Sequence, residues 1–245
     1  MKITICTIIR NQEHNLNFWY EQLKQIVNNN TDIEFFLSVY ENNSTDNTKS
    51  MLNGYDFSFF KKISVVTEDI ENKPFFRGGY DPYGEESRVR VRLLSECRNK
   101  SLSVDFLNES DFVTFIEPDI RYDYNIFKDI LDFIIKNDYD IVTAISRINR
   151  TSHYDWWGTR LNPNDTSTNL TTLMNSQQKV DLYATFNCFA IYKSEPFIKH
   201  DCKFVYMSDT LGLHDCDTVL ICQEFRKKGF NKICLLPNKI VDHFY

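Results

Sequence analysis

The chain carries the run VYENNSTDNT at residues 39–48, directly after an apolar segment at 33–39 that indicates a buried strand. The next segment, KSML at 49–52, is typical of a short helix. Asn, Ser and Asp suit a turn that leads into a helix N-cap. An acidic residue at a strand end can also accept hydrogen bonds from ribose hydroxyls. The pattern therefore favours a nucleotide-binding sheet edge, and its alternative is a plain polar turn.

A second acidic strand end occurs at residues 112–120, with the sequence FVTFIEPDI. Glu117 and Asp119 stand on either side of Pro118, whose ring stiffens the turn. Two carboxylates in this spacing can converge on a hard divalent cation such as Mg²⁺ or Mn²⁺. The alternative is a solvated strand end that precedes a capped helix.

Strand and helix patterns alternate along the chain. Strands are predicted at 2–9, 33–40, 62–67, 112–117, 140–146, 186–192 and 232–236. Helices are predicted at 14–29, 46–53, 88–106, 123–137 and 215–228. This alternation predicts an α/β fold with a mostly parallel sheet covered on both faces. No linker divides the chain, so we expect a single domain over residues 1–245.

Composition limits the class of protein. The chain has 245 residues and a net charge of −6, which argues against a broad nucleic-acid-binding face. No run approaches the ~18 apolar residues of a membrane span. The seven cysteines are odd in number and form no C-x-x-C pair, which favours reduced thiols. We therefore expect a soluble, cytoplasmic protein without a transmembrane segment (in the host cytoplasm if the source is viral).

The helix predicted at 88–106 is rich in arginine. Helical spacing puts Arg88, Arg92, Ser95 and Asn99 on one face, and Arg98 with Leu94 and Leu102 on another. Such a density of positive charge suits a nucleotide diphosphate. We expect Arg90 to lie off the binding face. The alternative is a solvated helix whose arginines pair with acidic residues.

Two long segments without strand or helix patterns, 68–87 and 147–182, are predicted to be lids or binding loops. The first contains FFRGGY at 75–80, where two glycines permit hinge motion. The second contains HYDWWGTR at 153–160. One tryptophan of the pair can pack inward while the other presents a ring face to a sugar, or both can fill the core.

The last third of the chain adds two candidate residues. Asp215 precedes a helical pattern, so it is either an N-cap or a catalytic carboxylate. His243 is a candidate third metal ligand, and its alternative is a surface histidine.

In their order, these motifs resemble the fungal capsule-associated α-1,3-mannosyltransferases. The resemblance rests on YENNSTD at 40–46, RLLSECRN at 92–99, FIEPDI at 115–120 and YDWWGTR at 154–160. It continues through FNC at 186–188, SEPF at 194–197, DC at 215–216 and LPNKI at 236–240. The resemblance implies a Rossmann-like GT-A glycosyltransferase fold, a nucleotide-sugar donor such as GDP-mannose, a glycan acceptor and a divalent metal, Mn²⁺ or Mg²⁺. On such a fold we expect residues 1–120 to form the nucleotide-sugar-binding half and residues 121–245 the acceptor-binding half. The family also implies a retaining reaction, whereas Asp215 as a general base would suit inversion of the anomeric configuration. The chain departs from the family at Glu117-Pro118, where Asn or Asp usually precedes the final Asp.

Site residues are predicted in four groups. The donor group is Thr7, Arg10, Glu41, Asn43, Asp46, Arg92, Arg98 and Asn99. The acceptor group is Asp155, Trp156, Trp157, Arg160 and Asn187. The metal group is Glu117, Asp119 and His243, and the catalytic pair is Asp119 and Asp215. The rival interpretation is a non-catalytic carbohydrate- or nucleotide-binding protein on the same fold. A nucleotidyltransferase is a third interpretation, although the chain has no Gly-rich phosphate loop before a helix.

Overall fold

The computed structural model describes residues 1–70, 84–209 and 212–244. The glycine hinge predicted at 75–80 lies outside these residues. Across the described ranges, no helix combines the length and the apolar character that a membrane crossing requires.

Every predicted strand and helix corresponds to an observed element. The strands are β1 Lys2–Ile9, β2 Glu34–Asn42, β3 Lys62–Glu68, β4 Phe112–Ile116, β5 Ile120–Arg121, β6 Ile141–Ile148, β7 Ser152–His153, β8 Val180–Asp181, β9 Phe189–Lys193 and β10 Ile233–His243. The α-helices are α1 Glu13–Asn29, α2 Thr48–Gly54, α3 Glu85–Leu102, α4 Asn125–Asn137, α5 Glu195–Lys199 and α6 Asp217–Lys227. The sequence patterns missed β5, β7, β8 and α5, which are too short to show a period.

The strands form one mixed sheet in the order β3-β2-β1-β4-β9-β6-β10-β5. Strands β1 to β4 pair in parallel, as do β6 and β10. Strand β9 runs antiparallel to both of its neighbours, β4 and β6. The carboxyl ends of β1, β2, β4, β6 and β10 therefore meet at one edge of the sheet, and β9 begins there. The predicted α/β class with a mostly parallel sheet is confirmed.

Helices cover both faces of the sheet because their apolar residues recur at helical spacing. Helix α1 buries Leu16, Trp19, Leu23 and Ile26 in a core cluster that also includes the inner face of α4. In that cluster the rings of Phe35 and Phe127 lie 5.4 Å apart. A second cluster holds Leu102 of α3 together with Val219, Cys222 and Phe225 of α6.

The core on the α4 side supplies the first testable prediction. Phe127 is completely buried, so Phe127→Ala should lower the free energy of unfolding by about 3–5 kcal/mol through lost contacts and a residual cavity. Ile135 of the same helix is 49% exposed, and Ile135→Ala serves as the control with a much smaller loss. Urea unfolding followed by circular dichroism measures both, and equal losses would contradict this packing.

Candidate active site

A cleft of about 430 Å³ lies at the sheet edge where the parallel strands end. Its walls come from α3, the β4–β5 turn, the segment after β7, the start of α6 and the end of β10. Its charged residues are Glu117, Asp119, Asp155, Asp217, Arg90 and Arg98, and His243 adds a titratable ring. A second groove of about 480 Å³ near Met1 and Phe112 lies where β1 and β4 begin. Because carboxyl strand ends carry ligands in α/β sheets, the first cleft is the candidate site.

Arg98 is the buried cation of this cleft. Its guanidinium donates to Glu117 Oε1 at 2.7 Å and to the carboxylate of Asp217, and it is only 4% exposed. The guanidinium carbon lies 4.8 Å from the centre of the Phe186 ring, within cation–π range. Burial opposes the positive charge, but Asp217 and Glu117 outweigh it and raise the pKa of Arg98. Arg98 therefore stays charged and bridges two acidic residues.

The two carboxyls bound by Arg98 are themselves shifted. Burial raises the pKa of Glu117 and of Asp217, and the positive charge of Arg98 acts against that rise. The carboxyl group of Asp119 also contributes to the higher pKa of Glu117. The charges of the three side chains therefore depend on one another, and the loss of Arg98 would leave the buried Asp217 and the half-buried Glu117 without their partner.

Asp119 meets His243 at the same edge. Strand β5 pairs with β10 so that Ile120 faces His243, and His243 Nε2 lies 3.2 Å from Asp119 Oδ2. The imidazole is buried and stacks on the Tyr154 ring with 3.7 Å between ring centres. The other oxygen of Asp119, Oδ1, is buried and has no hydrogen-bond partner among the described residues. This oxygen and the imidazole nitrogen are donor atoms that suit Mg²⁺ or Mn²⁺.

The cleft fits a metal site that protein ligands only partly complete. In the described part of the chain, no group of three or more His, Cys, Asp and Glu side chains is arranged to hold a metal. Glu117, the third predicted ligand, lies in the cleft but is paired with Arg98. Four carboxylates face two guanidinium groups, so the cleft carries excess negative charge that a divalent cation would balance. Mg²⁺ commonly takes one or two carboxylates and completes its sphere with phosphate oxygens and water.

Asp155 and the two tryptophans reach the cleft from the segment after β7, and Trp156 is 41% exposed there. Trp157 is half-buried and packs against the second core cluster. Both rings thus line the cleft, but Trp156 is the more exposed of the two, and Trp157 also packs inward against the core.

Asn187 and Arg160, both predicted to contact an acceptor, are buried and hold the protein together. The Asn187 amide oxygen accepts from Ser146 and His153. The Arg160 guanidinium pairs with Asp215 at 3.0 Å. Contact of either residue with an acceptor stays a prediction, and the structure gives each of them a bonding partner inside the fold.

Among the described residues, Asp217 lines the cleft and Asp215 does not. The helix pattern was predicted to start at 215, but α6 starts at Asp217. Asp215 belongs to the preceding segment, where its amide donates to the Tyr206 carbonyl and its carboxylate turns to Arg160. A difference of two residues in the helix start therefore decides which aspartate reaches the cleft, and Asp217 was missed for that reason.

The arginines of α3 are arranged differently from the prediction. Arg90 lines the cleft together with Arg98, so its predicted position off the binding face is wrong. Residues 90, 94 and 98 are successive i, i+4 neighbours and share one helix face. Arg88 instead pairs with Glu85, and Arg92 lies 4.0 Å from Glu96 at the surface.

The other predicted donor residues lie nearer β1 and β2, and most make bonds within the fold. Glu41 is completely buried at the end of β2, and its Oε1 accepts from the Ser44 amide at 2.8 Å. Asp46 accepts from the amides of Thr48 and Glu13, at the starts of α2 and α1. The Thr7 hydroxyl donates to the Ile116 carbonyl. The side-chain amides of Asn43 and Asn99 form hydrogen bonds with the backbone of Ile70 and of Phe204, respectively. Arg10 is half-buried.

Comparison with known proteins identifies the family. Residues 2–224 match the family model described as Cryptococcal mannosyltransferase 1. The chain belongs to this family. The predicted resemblance and the glycosyltransferase class of enzyme are thereby confirmed at the level of the family. No curated protein matches the chain.

Solved structures agree on the fold. S. aureus TarS 1-349 in complex with UDP is 16% identical, with a TM-score of 0.58 over 100% of this chain and 61% of that one. The mannosyltransferase PcManGT from Pyrobaculum calidifontis, in complex with GDP-Man and Mn²⁺, is 11% identical, with a TM-score of 0.60 over 98% of this chain and 56% of that one. The chain thus spans less than two thirds of either neighbour, and the likeness establishes the GT-A-like fold.

The Arg98 ion pairs generate the second prediction. Arg98→Met should lower the free energy of unfolding by about 3–5 kcal/mol, because it leaves the buried carboxyl of Asp217 and the half-buried carboxyl of Glu117 without a counter-charge. Arg92→Met, on the same helix but 45% exposed, is the matched control and should change stability little. Chemical denaturation of both variants at pH 7 tests this, and a stable Arg98→Met protein would contradict the buried bridge.

Proposed function

We propose that this protein is a metal-dependent glycosyltransferase that transfers a sugar, mannose from GDP-mannose, to a hydroxyl group of a glycan acceptor. The observation that carries the proposal is the convergence of Asp119, His243 and Asp155 on one cleft with the exposed ring of Trp156. These residues come from distant parts of a chain that belongs to a mannosyltransferase family.

Asp119 and His243 are the residues that would hold the divalent cation, Mn²⁺ or Mg²⁺. Both lie in the cleft, and the unpaired Oδ1 of Asp119 offers a lone pair for coordination. When bound, such an ion neutralises charge that develops on the diphosphate leaving group. Glu117, through its pairing with Arg98, would help to orient the β4–β5 turn that carries Asp119.

The donor would lie across the half formed by residues 1–120. Glu41 sits at the end of β2, where an acidic group can bind ribose hydroxyls. Arg90 is exposed on the cleft, so its guanidinium is available to the diphosphate, whereas that of Arg98 is already bridged. Support for GDP-mannose comes from the family description and from the GDP-Man complex of the distant neighbour PcManGT.

The acceptor would enter from the half formed by residues 121–245. Trp156 presents a ring on which the apolar face of a sugar can stack, beside the carboxylate of Asp155. Arg160 and Asn187 would stabilise this part of the cleft through their hydrogen bonds to Asp215 and Asp155, respectively.

A non-catalytic binding protein is the second candidate, because the described residues contain no group of three metal-binding side chains. Release of mannose from GDP-mannose, assayed with and without Mn²⁺, separates the two candidates. Metal-dependent turnover supports the enzyme. Donor binding without any turnover would support the binding protein.

Asp119 provides the third prediction. Asp119→Asn should weaken Mn²⁺ binding and lower kcat by about 10²-fold or more, because charge stabilisation of the leaving group is lost. Electron paramagnetic resonance of bound Mn²⁺ gives a readout that is independent of activity. Asp132→Asn, which alters a surface pair with Lys128, is the control. Normal Mn²⁺ affinity in Asp119→Asn would count against this metal site.

Trp156 provides the fourth prediction. Trp156→Ala should raise the acceptor KM at least several-fold, since a stacked ring contributes about 1 kcal/mol beyond area burial. Donor binding should be unchanged. Trp157→Ala should mainly lower the melting temperature, because that half-buried ring packs against the second core cluster. Steady-state kinetics and thermal unfolding of the two variants separate these outcomes. Identical effects of the two substitutions would contradict an acceptor-binding role for Trp156 and a stabilising role for Trp157.

A further inference from the structure

Strand β3 lies at the edge of the sheet, and the segment that contains it carries opposite charges at its two ends. The sequence is KKISVVTED at residues 61–69. Among the described residues, β2 is the only strand that pairs with β3, so the other side of β3 is open. We propose that this open side pairs antiparallel with β3 of a second copy of this chain, about a two-fold axis at Val65. This interaction surface is independent of the proposed reaction.

The backbone groups on the open side of β3 point away from the sheet. Successive residues of a strand direct their N–H and C=O groups to opposite sides. Glu68 is directed to β2, because its carbonyl accepts from the Asn43 amide at 3.3 Å. The amide of Lys61, just before the strand, also bonds to β2. Within the strand, the residues that alternate with Glu68 therefore face the open side, and these are Ile63, Val65 and Thr67.

Antiparallel pairing about Val65 matches these outward groups. The Val65 residues of the two copies would face each other and exchange both of their backbone hydrogen bonds. Ile63 would exchange hydrogen bonds in the same way with Thr67 of the second copy. An edge strand with such groups is a template on which another strand can add. The proposed pairing therefore satisfies the outward donors and acceptors of both copies and leaves the β2–β3 pairing intact.

The charges of the segment select this register. With Val65 on the axis, Lys61 lies opposite Asp69 of the second copy, and Lys62 lies opposite Glu68. Directly opposed side chains share a face of the sheet, and opposite charges in such positions attract. A shift by one residue would put the paired side chains on different faces. A shift by two residues would set Lys62 opposite Val66 or Ile70, and parallel pairing in register would set each charge against its like.

The ion pairs that β3 already makes are compatible with this arrangement. Lys62 pairs with Glu109, and Glu68 pairs with Lys100. These four side chains are 35–46% exposed, so solvent screens both pairs and they can be shared with another charge. In the paired state, Lys62 would lie between Glu109 of its own chain and Glu68 of the second copy. The result is a row of charges that alternate in sign across the two-fold axis.

The apolar side chains of β3 also favour a covered edge. Ile63 is 44% exposed and Val66 is 42% exposed, although both lie within a strand. In the proposed register they would lie opposite Thr67 and Ser64 of the second copy. A single pair of short strands is smaller than a standard interface of about 1,600 Å², so the dimer should be weak and depend on concentration.

Charge reversal with rescue is the direct test. Sedimentation velocity of the full chain at increasing micromolar concentrations should show a reversible dimer. Lys61→Glu/Lys62→Glu puts like charges opposite one another and should raise the Kd of the dimer about tenfold or more. Glu68→Lys/Asp69→Lys should have the same effect. An equimolar mixture of the two variants should dimerise again, because opposite charges then face each other.

Lys227→Glu/Lys228→Glu is the matched control. These adjacent lysines are exposed at the end of α6, and their reversal changes the net charge as much as reversal of Lys61 and Lys62. Self-association of this variant should equal that of the wild type, and circular dichroism checks the folding of every variant. The proposal is overturned if the wild type stays monomeric at all concentrations. It is also overturned if the β3 variants dimerise as well as the wild type, or if their mixture stays monomeric.

Hydrogen exchange locates the interface within the strand. The amides of Ile63, Val65 and Thr67 should exchange more slowly in concentrated than in dilute protein, whereas those of Ser64 and Val66 already bond to β2 and should not change. Val65→Pro removes an outward N–H without removing a bond to β2, so it should abolish the dimer even if the charge variants fold poorly. A dimer whose outward amides stay unprotected, or a Val65→Pro protein that dimerises normally, would overturn the proposal.

Discussion

The buried guanidinium of Arg98 is the interaction on which the site depends. It joins α3 to the end of β4 through Glu117 and to the start of α6 through Asp217, residues that lie far apart in the sequence. Arg98 and Asp217 are buried and Glu117 is half-buried, so separation of the three elements would leave buried charges without their partners. The same bonds remove Arg98 from the cations that are available to a donor. They leave Asp119, His243 and Asp155 to face the cleft.

The antiparallel course of β9 is the second constraint. Since β9 begins where β4 ends, the Cys188 carbonyl accepts from the Glu117 amide, and Asn187 reaches Asp155. A parallel strand in this position would have started at the opposite edge of the sheet. The reversal therefore joins the segment that holds Asp155 to the acidic turn that holds the proposed metal ligand.

Much of this organisation could be predicted from local patterns. Strand and helix periods located every long element, and the acidic runs at 39–48 and 112–120 both fall at carboxyl strand ends. The motif order indicated the family that the comparison then established. Local patterns failed where one or two residues change the partner of a side chain. Asp215 instead of Asp217, and Arg90 taken to lie off the cleft, are errors of helix start and of helix face.

By itself, the sequence determined the α/β class, the family and the pieces of the site, because periodicity and residue order are local properties of the chain. Only the tertiary structure decided which charges pair. Arg98 was expected to bind a diphosphate, yet it is bridged by carboxylates from β4 and α6. Asn187 was expected at the acceptor, yet its amide is bonded within the core. Pairings of this kind depend on distances between strands and helices that are remote in sequence, and spacing along the chain carries no such information.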